Sequence, residues 1–204
     1  MRHCRPVREG SQQPPWVLVA AGFHRNGGMD KANLALAEFL VEQGTRVHLV
    51  SHDVDPEFAQ HPLVEVHAVP RPGGSYFLGQ PLMDIYARRV ARRVTTNYPG
   101  ARVVVNGENC LWPDINWIHY VHAAWEAPPP QGPPWFRLKE NWMNRRVRRR
   151  ELQAARLAQI FITNSHRTTR DMVDLLGAAH GYQANVAAIS AIKDMINHSI
   201  DLMK

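Results

Sequence analysis

The feature that most constrains the fold is an uninterrupted apolar run, WVLVAA at residues 16–21, which leads into a glycine-containing turn and an amphipathic helix. An apolar run of this length predicts a strand that is covered on both faces, as in a parallel sheet. Gly27 and Gly28 lie in the turn, where a missing Cβ lets the backbone approach a ligand closely. Strand, turn and helix are the first half of a βαβ unit, so the sequence predicts an α/β fold.

The remaining apolar segments continue this pattern. The helix after the turn is predicted to be capped by Asp30, to end with Gly44 in the left-handed conformation and to bury Ala32, Ala35, Leu36, Phe39 and Leu40. Further strands are predicted at 46–51, 63–69, 101–106, 115–121 and 159–163, a loop at 71–79, and helices at 81–98, 135–158 and 166–176, the last ending at Gly177. These elements predict a single domain with a mostly parallel sheet of about six strands and helices on both faces.

Length and composition limit the classes of protein that fit. The 204 residues suffice for one α/β domain but not for two of Rossmann size, and no apolar run approaches the roughly 18 residues of a membrane span. Residues 1–15 are basic without an apolar segment after them, so we expect a disordered lead rather than a secretory signal. Cys4 and Cys110 are the two cysteines, which favours a reducing cytoplasm over a disulfide framework.

Polar residues follow the fourth and fifth predicted strands. Asn106 and Glu108 come directly after the run ARVVV, at the carboxyl edge where open α/β sheets bind ligands. His119 is predicted to lie inside the fifth strand as a packed histidine, whereas His122 lies where that strand gives way to a loop. His122 is therefore the candidate binding histidine, the alternative being that it tethers the loop. Two histidines three residues apart on a strand point to opposite sides, so we predict no metal site here.

The long helix predicted at 135–158 has a basic and aromatic face. Its candidates for binding a membrane surface are Trp142, Arg145, Arg149 and Arg156. Arginine mixed with tryptophan is typical of helices that lie on anionic membranes. A solvated face is the alternative, and nucleic acid is unlikely because no reading motif accompanies the arginines. Ser165 lies at the following strand-to-helix turn, where it is predicted either to cap the helix or to line a site.

The segments GGMDKAN, YVHAAW and ITNSHRT resemble the first domain of family 4 glycosyltransferases, two-domain enzymes of the GT-B fold. The resemblance covers residues 16–177 and implies a Rossmann-like, acceptor-side domain of a retaining enzyme that uses a nucleotide-sugar donor. It implies that Gly27, Gly28 and His122, and also Asn106, Glu108 and Ser165, line the cleft. A sugar or lipid-linked acceptor is the implied partner, and the implied location is the cytoplasm, peripheral to the inner membrane face.

The resemblance ends at residue 177, and the tail at 178–204 is predicted to be an amphipathic helix that drives self-association or covers the sheet. Its segment GYQANVAAISAIKDMI resembles the carboxyl-terminal helix of flagellar rod and hook proteins. We therefore expect a truncated glycosyltransferase that lacks the donor-binding domain, binds no cofactor alone and is inactive alone. The alternative is a non-catalytic remnant that binds a partner or a membrane through the basic helix and the tail.

Overall fold

The computed structural model describes residues 13–125 and 132–179. Its strands are β1 (Trp16–Val19), β2 (Gly22–Phe23), β3 (Val47–Ser51), β4 (Asp53–Val54), β5 (Val64–Ala68), β6 (Arg102–Asn106), β7 (Ile115–Ile118) and β8 (Ile160–Thr163). Its helices are α1 (Gly28–Glu42), α2 (Tyr76–Asn97), α3 (Pro134–Leu157) and α4, which is helical over residues 166–179. Short 3-10 turns occur at Phe58–Gln60, Pro72–Gly74 and His122–Ala124. Residues 180–204 of the predicted tail and residues 1–12 of the predicted lead lie outside the described residues.

The described residues fall into two compact units, within Met1–His119 plus Leu157–Ile162 and within Tyr120–Arg156 plus Thr163–Lys204. The first unit is built on the six-stranded sheet, in the order β5-β3-β1-β6-β7-β8, while β2 and β4 pair separately. Every registered pair in the large sheet is parallel: β1 with β3 and β6, β3 with β5, and β6 with β7. This confirms the predicted mostly parallel α/β sheet.

The core lies on both faces of the sheet, as predicted. Val17, Val19 and Val50 pack with the buried side of α2 on one face. Leu18 and Leu49 pack with α1 on the other. Because β1 is covered on both faces and paired on both edges, Val17 has 0% exposure, and this strand is the rigid centre of the first unit.

Helix α1 faces the core with a different arc from the predicted one. Its buried residues are Asn33, Leu34, Ala37, Leu40 and Val41. Phe39 is 56% exposed and Ala35 is also exposed, so the buried arc is displaced from the predicted stripe by roughly a third of a turn, with Leu40 common to both. Both arcs carry apolar residues, and hydrophobic spacing alone did not decide between them. The predicted end is confirmed, because Gly44 has φ +77°.

Helix boundaries differ from the prediction at two other places. Helix α2 begins at Tyr76 rather than at Pro81, so Pro81 lies inside the helix, where its missing N–H leaves out one intrahelical hydrogen bond. Helix α4 continues through Gly177, the predicted stop, since one glycine inside a helix costs only about 1 kcal/mol. No helix in the described ranges combines the length and apolar character needed to span a bilayer.

Candidate glycan-binding site

The strand order of the sheet changes direction between β5 and β6. The chain moves outward from β1 through β3 to β5, and then α2 returns it to the other side of β1, where β6 pairs. Loops after β1 and β6 therefore diverge from adjacent carboxyl ends. Such a switch point opens the crevice in which open α/β sheets bind ligands.

The glycine turn lies at this crevice. Gly27 has φ +79° and ψ 158°, a backbone conformation that favours glycine, and α1 begins at Gly28. The first N–H groups of a helix lack intrahelical acceptors and carry partial positive charge, so they can donate to ligand oxygens. The predicted position of the glycine pair at a helix start is thus confirmed, whereas its role in binding stays a prediction.

Asp30 does not cap α1, which corrects the prediction. The residue at the capping position is Gly27, and Asp30 lies inside the first turn. Its Oδ2 lies 3.4 Å from Nε2 of His24, and Oδ2 of the exposed Asp53 lies 3.9 Å from the same nitrogen. The His24 ring has a buried Nδ1 without a hydrogen-bond partner among the described residues. Gly22 makes this approach possible, because a Cβ there would lie 2.9 Å from His24 Nε2 and 3.0 Å from the Asp30 carboxylate.

Two asparagines connect this turn to β6. Asn33 of α1 is buried and its Nδ2 donates to the Gly22 carbonyl at 3.3 Å. Asn106, at the end of β6, donates from Nδ2 to Asn33 Oδ1 at 3.0 Å. Asn106 was predicted to line the site, and the structure places it in this polar network beside the glycine turn. Its binding role remains a prediction.

Glu108 follows Asn106 but is 7% exposed. Gln80 of α2 donates to its backbone carbonyl at 3.3 Å. Burial of this extent makes Glu108 part of the wall beneath the crevice. Its predicted contact with a ligand is untested.

His119 lies directly after β7, which ends at Ile118 and not at the predicted Val121. It is therefore outside the strand, which corrects its predicted position, whereas its partial burial agrees with the predicted packing. Its ring is 4.8 Å from that of Trp117. Burial lowers the pKa of His119 below its ordinary 6.5, and the Asp30 carboxylate partly offsets this by raising it. The imidazole is thus neutral near pH 7, the form that both donates and accepts a hydrogen bond.

His122 belongs to the second unit, where its contacts are with α3. Glu151 of α3 is buried and accepts hydrogen bonds from the backbone N–H groups of His122 and Ala123 at 2.7 and 3.0 Å. Its Oε1 also lies 3.3 Å from His122 Nδ1. Tyr120 packs on the imidazole with ring centroids 4.6 Å apart. These contacts hold the turn, as the tethering alternative predicts, and a binding role for His122 stays a prediction.

Ser165 caps α4, as one of its two predicted roles requires. Its Oγ accepts the backbone N–H of Thr168 at 3.1 Å and lies 2.9 Å from the Thr168 hydroxyl. The second predicted role, lining a cleft, is untested.

The predicted membrane face of α3 is exposed in the second unit. Trp142 is 50% exposed, and Arg145, Arg149 and Arg156 are exposed as well. Trp135 and Leu138 extend the apolar part of this face at 68% and 73% exposure. The Arg146 guanidinium lies 5.5 Å from the Trp142 ring centroid. The helix thus combines exposed indole rings with a dense positive charge.

We call the side chains that meet at the switch point the edge cluster, defined as His24, Asp30, Asn33, Asn106 and His119. Of these residues, Asn106 was predicted from the sequence to line a site, and His24 and Asn33 were not predicted. Asp30 and His119 were predicted to have other roles. The signal that could have found them is position, since each follows or faces the carboxyl end of a sheet strand. Carboxylate, amide and neutral imidazole groups are suited to bind hydroxyl groups in fixed orientations.

Comparison with known proteins agrees with this fold. The sequence profile of Glycosyltransferase Family 4 matches residues 26–182. Among solved structures, the chain is similar to WaaG, described as a glycosyltransferase involved in lipopolysaccharide biosynthesis, with 13% identity and a TM-score of 0.50. The similarity covers 77% of this chain and 40% of the WaaG chain. No curated protein matches the sequence. Since the profile spans more than half of the residues, the chain belongs to glycosyltransferase family 4.

Proposed function

We propose that this chain is the acceptor-binding half of a retaining glycosyltransferase that transfers sugar from a nucleotide-sugar donor. The observation that carries the proposal is the edge cluster, a set of hydrogen-bonding side chains at the switch point of a family 4 domain. The free N–H groups at the start of α1 and the side chains of Asp30 and Asn106 would orient acceptor hydroxyls. Neutral His119 would add one further hydrogen bond.

Binding of sugar by the edge cluster is tested by saturation-transfer NMR. The purified chain is mixed with a panel of methyl glycosides, and transfer to the sugar protons reports contact. We expect signal for at least one glycoside and its loss in Asp30→Asn, which removes a strong acceptor. Asp174→Asn, the same change at an exposed position of α4, should keep the signal. Equal signals in both variants would contradict the proposal.

Donor chemistry belongs to another part of such an enzyme. In the family that the sequence resembles, the nucleotide-sugar site lies in a second Rossmann-like domain, and this chain spans 40% of WaaG. We therefore expect the purified 204 residues to transfer no sugar from a nucleotide-sugar panel to these glycosides. Measurable transfer would contradict the inactivity but leave the acceptor site in place, so the two claims can be separated. With a donor domain supplied, the anomeric configuration of the product would test retention.

We also propose that the exposed face of α3 binds anionic lipid and holds the protein at the cytoplasmic membrane face, where lipid-linked acceptors are found. Support comes from the exposed Trp135, Leu138 and Trp142 beside arginines on one helix. Each basic residue near an anionic surface adds about 1 kcal/mol, so changing Arg145, Arg149 and Arg156 to Glu should weaken binding roughly 100-fold or more.

The measurement is sedimentation with phosphatidylcholine vesicles that do or do not contain phosphatidylglycerol. The charge-matched control changes Arg89, Arg92 and Arg167 to Glu, three exposed residues of α2 and α4. Binding that depends on phosphatidylglycerol and is lost only in the α3 variant supports the proposal. Equal losses in both variants would show a general charge effect and overturn it.

A further inference from the structure

A second cluster of chemically active side chains lies in the first unit, away from the edge cluster. It consists of His48 on β3 and of Glu65 and His67 on β5, and their potential ligand atoms all lie within 4.8 Å of one another. This group was not predicted from the sequence, where His119 and His122 were the histidines weighed as metal ligands. Its signal was present in the alternation Glu65-Val66-His67 on a strand, because residues two apart on a strand share a face.

The parallel register explains how the three side chains meet. His48 is paired with Glu65, and Val50 is paired with His67. Glu65 and His67 therefore point to the same face as His48. His48 and Glu65 are the second residues of β3 and β5, whereas His67 is the fourth of the five residues of β5, so the cluster lies along the middle of these two strands.

The distances fit a single bound ion. His48 Nδ1 lies 3.2 Å from His67 Nε2 and 3.2 Å from Glu65 Oε2, and His67 Nε2 lies 3.4 Å from Glu65 Oε1. Two ligands that each lie about 2.0–2.1 Å from a tetrahedral zinc ion are roughly 3.3 Å apart. Each of these separations is thus close to the distance between two ligands of a tetrahedral zinc ion, with the two Glu65 distances measured to different oxygens of its carboxylate.

Hydrogen bonding alone satisfies this arrangement poorly. A ring nitrogen has either one hydrogen or one lone pair, so His48 Nδ1 can direct one good hydrogen bond but has two neighbours at 3.2 Å. A cation at the centre accepts a lone pair from each of the three groups at once. Burial lowers the pKa of both His48 and His67, which favours the neutral imidazoles that ligate metals.

The exposure of the cluster and the contacts around it are also suitable for binding an ion. The side chains of His48 and His67 are 6% and 14% exposed, whereas that of Glu65 is 47% exposed, so an ion can enter from the Glu65 side. Arg93 of α2 donates to Glu65 Oε1 at 3.1 Å and orients the carboxylate. Two imidazoles and one carboxylate select zinc-like ions over magnesium and calcium, which prefer oxygen ligands.

We propose that His48, Glu65 and His67 bind one divalent transition-metal ion, with zinc as the expected ion and water at the fourth position. The ion cross-links β5, an edge strand of the sheet, to β3. Its role is to stabilise the sheet, because β5 has a neighbouring strand on one side only. The proposal is independent of the proposed sugar binding.

Cobalt(II) titration of the tag-free chain, stripped with EDTA and held near neutral pH, tests the proposal. Tetrahedral coordination gives intense visible absorption, which we expect to saturate at one ion per chain and to disappear on zinc addition. Zinc calorimetry then gives the affinity, and zinc should raise the melting temperature because it binds the folded state.

Glu65→Gln and His67→Gln should each weaken zinc binding at least about 10-fold, since loss of a ligand exceeds loss of an outer contact. Circular dichroism tests whether each variant is folded. The Glu65 variant is the one more certain to fold, because the Glu65 side chain is half-exposed. His166→Gln, which changes an exposed histidine of α4, should bind as the original chain does. Absence of saturable binding would overturn the proposal. So would binding that survives both cluster variants, because the ion would then be held by other residues.

Discussion

Gly22 is the residue that lets the edge cluster assemble, since a Cβ there would lie within 3.0 Å of both His24 and Asp30. Gly22→Ala should push these two side chains away and lower the free energy of unfolding by about 1 kcal/mol, because side-chain ends can yield where backbone cannot. Gly28→Ala is the matched change, since nothing lies within 4 Å of its added Cβ. It should be neutral or stabilising by up to about 1 kcal/mol. Urea denaturation measures both, and equal losses would contradict the packing argument.

Asp30 acts on His119 through its charge. Burial holds the pKa of His119 below 6.5 and the Asp30 carboxylate raises it, so Asp30→Asn should lower this pKa further. NMR titration of the His119 ring protons measures the change, and Asp53→Asn should leave the pKa unchanged. A pKa that rises in Asp30→Asn would show that the two groups do not interact as described.

The lowered pKa of His119 also makes the stability of the fold depend on pH. The folded state binds the His119 proton less readily than the unfolded chain. The contribution of neutral His119 to the free energy of unfolding is therefore fully present above pH 6.5. It declines as the pH falls from 6.5 to the pKa of His119 in the folded state.

Individual residues were predicted correctly where local backbone chemistry fixes the conformation. They were predicted wrongly where their role depends on the residue at which a strand or helix begins or ends. The left-handed φ of Gly44 and the cap at Ser165 follow from local backbone needs and were predicted. The roles of His119 and His122 depended on where β7 ends, and it ends three residues earlier than the apolar pattern indicated. Asp30 was misassigned because a cap must precede the helix, and α1 begins two residues before it.

At the scale of elements, Glu151 connects α3 to the turn at His122–Ala124. Its buried carboxylate accepts two backbone N–H groups, and hydrogen bonds to charged groups contribute about 1.5–3 kcal/mol. Glu151→Ala should therefore lower the free energy of unfolding by about 2–3 kcal/mol. Glu140→Ala, the same truncation on α3 at a less buried position, should cost under about 0.5 kcal/mol. Similar losses at both positions would argue against this connection.

Strand positions were predicted better than helix faces, for a physical reason. A strand such as β6, with three consecutive buried valines, is a short apolar run that fits few other structures. Helix α1 instead carries apolar residues around more than half of its circumference, and packing against Leu18 and Leu49 selects the arc with Leu34 and Ala37. The covering sheet decides the face, and a single sequence does not contain its position.

For the whole molecule, hydrogen exchange should follow the layers of the first unit. Amides of β1, β3 and β6 should exchange most slowly, because these strands have neighbours on both edges and several residues at 0–1% exposure. Amides of α3 should exchange faster, since much of that helix faces solvent. Mass spectrometry of peptic fragments measures this. Protection in α3 equal to that in β1 would contradict the assignment of the rigid centre.

Strand order is the part of the architecture that sequence could not supply. The apolar runs predict parallel strands, but nothing in WVLVAA or ARVVVN states that β1 and β6 are neighbours. That adjacency creates the switch point and brings Asn106 to Asn33. The adjacency of β1 and β6 depends on the face of the sheet that each connecting helix covers, which is a property of the whole sheet.

No side chain of the edge cluster belongs to either of the two apolar layers that the structure describes on the faces of the sheet. Replacement of Asp30 or His24 therefore leaves the buried aliphatic layers intact. A library randomised at these two positions should retain many folded members while their glycan preference diverges. If the edge cluster binds the acceptor as proposed, the carboxyl rim of this domain is the place at which selectivity can be redirected in the laboratory.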